Sequence, residues 1–444
     1  MQTQRDHVHA HDFQMGRMSA ALVLGDPASA ESPAQRALVG VMIGFILTVL
    51  VLAGLVIYGW LVPGGNTSWR VDGTVVVEKE SGTRYAYLGG ALHPTRNLAS
   101  ALLIQGSAAN PKLVSRNSLK GVPHGALVGL PGAPQVLPAS NGFLRGPWLA
   151  CPAGAGRLGL NLDPSARAEP LAADRFVLAR ADGHMYLLWR DKKHLVTDDG
   201  ALIALGAAGA DPVPAPRSWL AHLPDGPSIG VPRIGGAGRP GPVIAGRARP
   251  IGALFSQEIS IGARYYVLRP DGLAPVNDTA LLLMGAGGGG PPVRLTAADV
   301  VGAPQSADRT LAGLLPGLNR ATYQDLGGDV VCQRQQPRGD GTVTAALALT
   351  AREYAGLRAD GTAGLLMRPG TGMVVTPIPS VNSQRPRPVL ITEEGRRYLL
   401  AADDVLSAFA ISGDSIVPFP ADELAVVPAG PVLSRAVAAS IAEG

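Results

Sequence analysis

From Ala37 to Leu61 the chain reads ALVGVMIGFILTVLVLAGLVIYGWL, 25 positions without a charged residue. As a helix rising 1.5 Å per residue, this stretch crosses a hydrocarbon layer of roughly 30 Å with some tilt. Tyr58 and Trp60 near its end suit the headgroup layer, and Pro63 with Gly64 stops it. A cleaved signal peptide has a shorter apolar run, about 7 to 15 residues, nearer the terminus; the other alternative is a buried core helix. The stretch reads as one transmembrane helix, dividing the chain into a tail (1–36), an anchor (37–61), a linker (62–73) and a large domain. Gly40 and Gly44 form a small-xxx-small step that lets a neighbouring helix approach. Arg5, Arg17 and Arg36 on one side face Arg70 and Lys79 on the other, so flanking charge does not orient it.

In the tail, FQMGRMSAALVLGD places Phe13, Met15, Met18, Ala21, Leu22 and Leu24 toward one side of a short amphipathic helix ending near Gly25. His7, His9 and His11 alternate, yet no carboxylate or cysteine set accompanies them, so they read as solvated and no metal or other cofactor is expected.

Cys151 and Cys332 are the only cysteines, and both follow the anchor. A pair confined to one side of a membrane fits an oxidising compartment; two unrelated buried thiols are the alternative. Gly and Pro number 57 and 38 while charged residues make only 16%, which points to turns and short strands. The net charge of +4 is spread thinly, without the basic stripe that nucleic acid requires.

The large domain repeats a unit, an apolar strand turning at a glycine into a strand with tyrosine, then a helix. Gly82 and Tyr85 mark the first copy, Gly183 and Tyr186 the second, Gly262 and Tyr265 a shorter third, Gly395 and Tyr398 the fourth. Asp198 or Asp199, Asn277 and Asp403 precede the helices as caps. PVPAPRSWLAHLPDGPSI at 212–229 matches VPFPADELAVVPAGPVL at 417–433, giving the second and fourth copies a proline-rich tail. The intervening stretches, with HGALVGL and GTVTAALALTA, suit antiparallel strands of a central β-domain made from two segments. The expected fold is one transmembrane helix plus an elongated α+β domain, β-rich, with four hairpin–helix repeats around that centre. The boundaries are 74–106 (repeat 1), 107–174 (first central segment), 175–230 (repeat 2 and tail), 231–258 (linker), 259–287 (repeat 3), 288–386 (second central segment) and 387–444 (repeat 4 and tail). Copies one and four should share one end, two and three the other.

No catalytic residue emerges. None of the five lysines, Lys79, Lys112, Lys120, Lys192 and Lys193, stands in a G-x-x-x-x-G-K-[ST] frame. Gly285–Gly290 formally fits G-x-G-x-x-G, but Pro291 and Pro292 follow where a helix should open. Ser228 centres a G-x-S-x-G whose partner in the fourth tail is Val432. His93, in LHP, reads as a local hydrogen-bonding residue.

FQMGRMSAALVLGD, LHPTRNLASALLI at 92–104, WLACP at 148–152, VVCQRQ at 330–335 and VPAGPVLSRAVA at 427–438 together resemble EccB, the single-span membrane component of type VII (ESX) secretion in actinobacteria. The resemblance covers almost the whole chain, though the tail before Met18 is less basic and aromatic than in relatives. It implies an extracytoplasmic domain of four repeats around a disulfide-bonded core joining Cys151 and Cys332. It also implies a cytoplasmic N-terminus, a place in the cell (inner) membrane, and higher-order assembly with EccC-, EccD- and EccE-like subunits and a mycosin protease to export small helical proteins. A structural core subunit is the leading reading. A membrane-anchored peptidoglycan-binding repeat protein is the alternative, and an ATPase, as some family members are labelled, is the third.

Overall fold

The computed structural model describes residues 4–25, 33–61, 67–106, 111–154, 156–379 and 386–440. Pro63 and Gly64, the expected helix stop, and the linker residues 62–66 lie outside these. The chain divides into two compact units, one formed by the residues up to Val71 with Val76–Thr83 and Lys112–Pro123, the other by the rest.

In the first unit the tail helix runs Gln4–Leu24, beginning well before Phe13 and taking in all three histidines. Its covered side is not the expected apolar stripe. Ala20 is buried with Gly16 and Ser19 half-covered, while Phe13, Met15, Met18 and Leu22 are exposed. The second helix, Pro33–Leu61, opens on a proline, tolerated at a first helical position where the N–H has no intrahelical partner. Within it Ala37–Gly59 is, among the described residues, the one stretch long and apolar enough to cross a membrane. None of that stretch is buried by protein. A helix apolar all round and uncovered needs lipid or other helices around it. The same unit pairs Val76–Glu78 in parallel with Lys112–Val114. Arg116 Nε closes on Glu78 Oε1 at 2.5 Å beside this pair.

The second unit is built on a six-stranded sheet in the order Leu365–Leu366, Leu158–Asn161, Trp148–Pro152, Asp329–Pro337, Val343–Ala351, Glu169–Pro170. Its two middle strands come from distant stretches of the chain, Gln333 pairing with Ala150 and Gln335 with Trp148 in antiparallel register. That register sets Cys332 opposite Cys151, where the Cα atoms are 4.3 Å apart and the disulfide forms.

Around it the repeats follow one plan, fuller than hairpin plus helix: three antiparallel strands, a helix, a fourth strand parallel to the first, a short helix and an extended tail. Repeat 2 shows it as Arg175–Ala181, His184–Trp189, Lys192–Leu195, helix Asp199–Ala204, Val213–Pro214 and helix Arg217–Ala221. Repeat 3 is no shorter. It begins at Leu254–Ile259, inside the expected linker, and returns with Val293–Leu295 and helix Ala297–Gly302, inside the expected second central segment. The rest of that linker carries a hairpin, Pro240–Ile244 with Arg247–Pro250. Repeat 4 also begins earlier, at Gly372–Ile378, which pairs with Val389–Thr392 across an intervening sequence of residues 379–388. HGALVGL is not a central strand; it is the tail of repeat 1, bridging Leu92 to His124 and Thr95 to Val128. GTVTAALALTA does supply a central strand, Val343–Ala351.

The cores follow the expected grouping. Leu103 and Ala101 of repeat 1 pack with Val405, Leu390 and Leu433 of repeat 4, and Leu202 of repeat 2 with Leu283 of repeat 3. Charged side chains are sparse in these clusters, so burial of aliphatic surface is the main driving force, at about 25 cal/mol per Å2.

Candidate functional site

The glycines expected at turns all have positive φ: Gly82 (71°), Gly183 (79°), Gly262 (122°) and Gly395 (72°). A Cβ at any of them meets open space, so conformation and not crowding selects glycine there. The first three turn the first hairpin of their repeats, whereas Gly395 turns the second hairpin of repeat 4. The tyrosines shift accordingly. Tyr85 and Tyr186 lie half-buried on second strands, opposite Pro94 and Leu195. In repeat 3 the register partner of that position, Pro275, faces Tyr266 and not Tyr265. Tyr398 sits on a third strand and is fully buried.

Tyr398 therefore corresponds to His93 and His194, which expose what the tails do. Each repeat's tail bridges its third strand at the same place, seen in repeat 2 as Lys193 N–H to Pro224 O and Gly226 N–H to Lys193 O. The ring on the next residue then lies against the tail glycine. A Cβ built on Gly125, Gly226 or Gly430 would fall 2.1–2.2 Å from the ring of His93, His194 or Tyr398. Repeat 3 has Ala274 in the ring position and Ser306 at the tail, paired by the equivalent backbone bonds, Leu273 N–H to Pro304 O and Ser306 N–H to Leu273 O. Ring and side chain exclude each other at this joint. His93 and His194 also hold the tail by Nδ1, to Ala126 O at 3.2 Å and to Pro227 O at 2.9 Å. Ser228, between these bonds in an extended tail, is on no strand-to-helix elbow. Gly287–Gly290 follows the helix Asp278–Ala286, the wrong end for a phosphate-binding loop.

The helix caps are tied to the tails as well. Asn97 Oδ1 accepts from Ser100 N–H at 2.8 Å while its amide donates to Leu130 O at 2.8 Å. Asp198 accepts from Ala201 and Val231, and Asn277 accepts from Ala280 while donating to Leu314 O. In repeat 4 the cap is Ala402, not Asp403; Asp403 and Asp404 fall in the first turn, where they meet the positive helix end without capping it.

A buried polar cluster that sequence reasoning missed lies on the central sheet. The short helices Arg217–Ala221 and Ala421–Val426 open the two matching tails, and Trp219 and Glu423 occupy equivalent positions in them. Trp219 Nε1 donates to Ala150 O at 2.8 Å, and Gln333 Nε2 donates to Trp219 O at 2.7 Å. Glu423 is 0% exposed. Its carboxylate accepts from Trp148 Nε1 at 3.2 Å and from Gln335 Nε2, and His222 Nε2 stands 3.6 Å from Oε1. Trp148 is in turn stacked on Phe419, ring centres 4.6 Å apart. Burial raises the Glu423 pKa to about 7 against the opposing pull of His222, Gln335 and Trp148. For His222 burial lowers the pKa, but the hydrogen bond to Asp422 at 3.2 Å and the charges of Glu423 and Asp422 outweigh it, and the net direction is up. In sequence the acidic pair at 422–423 is only part of a proline-rich tail; the glutamines of VVCQRQ, on alternate positions 333 and 335 of a buried strand, are the one hint of a polar interior.

Beside repeat 4 an open cleft of about 590 Å3 is lined by Arg157, Arg358, Arg396, Glu393 and Glu394 over leucines of the central sheet. Its carboxylates are engaged locally, Glu393 by Gly370 N–H and Glu394 by Gln135 N–H and the Tyr398 hydroxyl. On the anchor helix a Cβ at Gly40 or Gly44 meets nothing, and Thr48 bonds back to Gly44 O at 2.8 Å.

One helix long and apolar enough to cross a membrane and bare of protein, followed by βββαβ repeats about a disulfide-bonded sheet, is the architecture of a repeat protein with a candidate membrane anchor. The family described as "Type VII secretion system ESX-1, transport TM domain B" matches residues 1–444, and the chain belongs to this EccB family. ESX-1 secretion system ATPase EccB1 of Mycobacterium tuberculosis is 30% identical over 292 residues, covering 62% of this chain and 60% of that protein. The match thus spans about three fifths of the relative's length. ESX-3 secretion system ATPase EccB3 of Mycolicibacterium smegmatis is 27% identical over 481 residues, 97% of this chain and 89% of the relative. Among solved structures, the EccB3 dimer from the ESX-3 core complex matches with TM-score 0.59 at 26% identity, over 82% of this chain and 99% of that one. The periplasmic assembly of the ESX-5 inner membrane complex matches with TM-score 0.62 at 22% identity, over 84% and 96%, a likeness of fold alone.

Proposed function

We propose that this chain is a structural subunit of a type VII secretion complex in the cell membrane, anchored by Ala37–Leu61. On this reading the tail is cytoplasmic and the repeat domain stands outside, where EccC-, EccD- and EccE-like subunits and a mycosin protease are its partners and small helical proteins the cargo. The carrying observation is the match of the EccB family over all 444 residues, the uncovered apolar helix included. The Cys151–Cys332 disulfide supports the outward placement, since such bonds persist in oxidising compartments. The Gly40–Gly44 step is where a neighbouring membrane helix would come close. Although relatives bear the name ATPase, no lysine here stands in a phosphate-loop frame, which supports a role in assembly and not in turnover.

The test is deletion of residues 1–36. The truncated chain should still insert and fold but recover the other membrane subunits at a small fraction of the full-length yield in an affinity purification. Recovery equal to that of the intact chain would remove this assignment.

A further inference from the structure

We infer that Glu423 and His222 form a proton-controlled clasp holding the tails of repeats 2 and 4 on the central sheet, closed while the pair keeps a proton and loosened when it loses it. The two residues come from different repeats, and their helices reach the sheet from separate stretches of the chain, 217–221 and 421–426. The floor is Trp148 on one middle strand and Gln335 on the other. The charged groups facing the pair are Asp422, bonded to His222 on its outer side, and Lys193, which sits across from His222 and is held by Asp225 at 3.2 Å.

Packing does not require an acid at this place. The equivalent position of the other tail is Trp219, seated on the same sheet with its ring nitrogen satisfied. A wholly buried carboxylate is costly unless neutralised by a proton or a cation. With one proton in the pair, either His222 is the imidazolium beside a carboxylate or Glu423 is the neutral acid. Gln335 Oε1, buried and without a partner, is the acceptor a protonated Glu423 would satisfy once the amide turned over, at the cost of the 3.2 Å bond that Gln335 Nε2 donates to Gln333 Oε1. With no proton in the pair, two donors alone face a buried anion next to Asp422.

The direction of the pH effect follows. Glu423 holds its proton more tightly folded than unfolded, so its contribution is complete below the unfolded value of 4.5 and is lost as pH rises through about 7. His222, also raised, acts in the same sense, complete below 6.5 and lost above its folded value. Asp422 is lowered and acts oppositely, in the acid range below 3.8. The clasp therefore loosens as pH rises from 4.5 through about 7, with His222 adding its share from 6.5 upward.

Hydrogen exchange of the full-length protein in detergent, between about pH 4.5 and pH 9 and corrected for the intrinsic rate, reads this directly. Protection of amides in Arg217–His222 and Ala421–Val426 should fall by up to about tenfold per pH unit between the unfolded value of 4.5 and about 7, where opening releases the Glu423 proton, and level off once the folded pair has also lost its proton, while Asp329–Pro337 keeps its protection. E423Q should abolish that slope below about pH 6.5, where His222 keeps its proton in both states. Tail protection independent of pH in the wild type, or an unchanged slope in E423Q, overturns the clasp. Should E423Q not fold, H222Q decides: removing the imidazolium raises the folded Glu423 pKa and must carry the fall to higher pH before it levels off, and an unmoved end point overturns it equally.

Discussion

Repeats 1, 2 and 4 press a ring against a tail glycine, and repeat 3 has neither, so the joint is a matched pair of residues and not a glycine preference. Gly226 has an ordinary φ, and its constraint is space alone, with the His194 ring 2.1 Å from where a Cβ would stand. Gly226→Ala should destabilise the domain by about 1–3 kcal/mol, the usual cost of overpacking. His194→Ala in the same chain should recover some of that loss, since Ala274 with Ser306 shows the ringless joint to be compatible with a side chain. Denaturant unfolding of the two single variants and the double variant measures this, and strictly additive losses would refute the pairing. At this scale the sequence is half legible. Positive-φ turn glycines announce themselves by recurrence, and the local role of His93 can be read from its place in the repeat. Glu423 cannot, because an acid in a helix's first turn is ordinarily solvated and its burial depends on a tail from 200 residues away.

Secondary-structure elements show which sequence signals carry across copies and which break. Repeat 4 is offset by one strand in a sequence reading because residues 379–388 separate its first two strands in sequence, leaving Gly395 to pass for the first-hairpin glycine. Repeat 3 is cut short there because its opening strand lies behind a glycine- and proline-rich hairpin that resembles a linker. The parallel fourth strands, two to five residues long, carry too little period to be seen in sequence. Helix starts are more legible, with Asp198 and Asn277 capping as expected, yet Asp403 is displaced by one residue from that role. The cap position of repeat 4 is Ala402, with φ −157° and ψ 169°, nearly those of Asn97 at −157° and 166°. Its backbone is thus shaped for a side-chain cap that alanine lacks. Ala402→Asn should stabilise the protein by about 1 kcal/mol, raising its melting temperature by a few degrees, by accepting the Val405 N–H as Asn97 accepts that of Ser100. A lower or unchanged melting temperature would show that the geometry is not capping-competent.

For the whole molecule, the chain leaves the central sheet after Glu169–Pro170 and returns at the strand of Cys332, and the stretch from Cys151 to Cys332, a sequence separation of 181, includes all of repeats 2 and 3. The bond therefore ties together two adjacent middle strands whose sequences stand on either side of that excursion. Two lone cysteines in strand-like stretches make this path legible in the sequence, but not the reason it matters, which is that the same two strands seat the tails of repeats 2 and 4. Chain-entropy estimates put the benefit of closing so long a loop at roughly 5 kcal/mol, an upper figure because a denatured chain is not a random coil. Replacing both cysteines by alanine should cost about 2–5 kcal/mol in denaturant unfolding. The loss should be concentrated in the excursion, because repeats 1 and 4 share a core that does not include the bond. Limited proteolysis of the full-length C151A/C332A variant should accordingly cut first between residues 152 and 331, with the 372–440 region protected longer. Uniform cleavage across both regions, or stability equal to the wild type, would mean that the hydrogen-bonded register of Gln333 with Ala150 and Gln335 with Trp148 already closes the excursion without the covalent link.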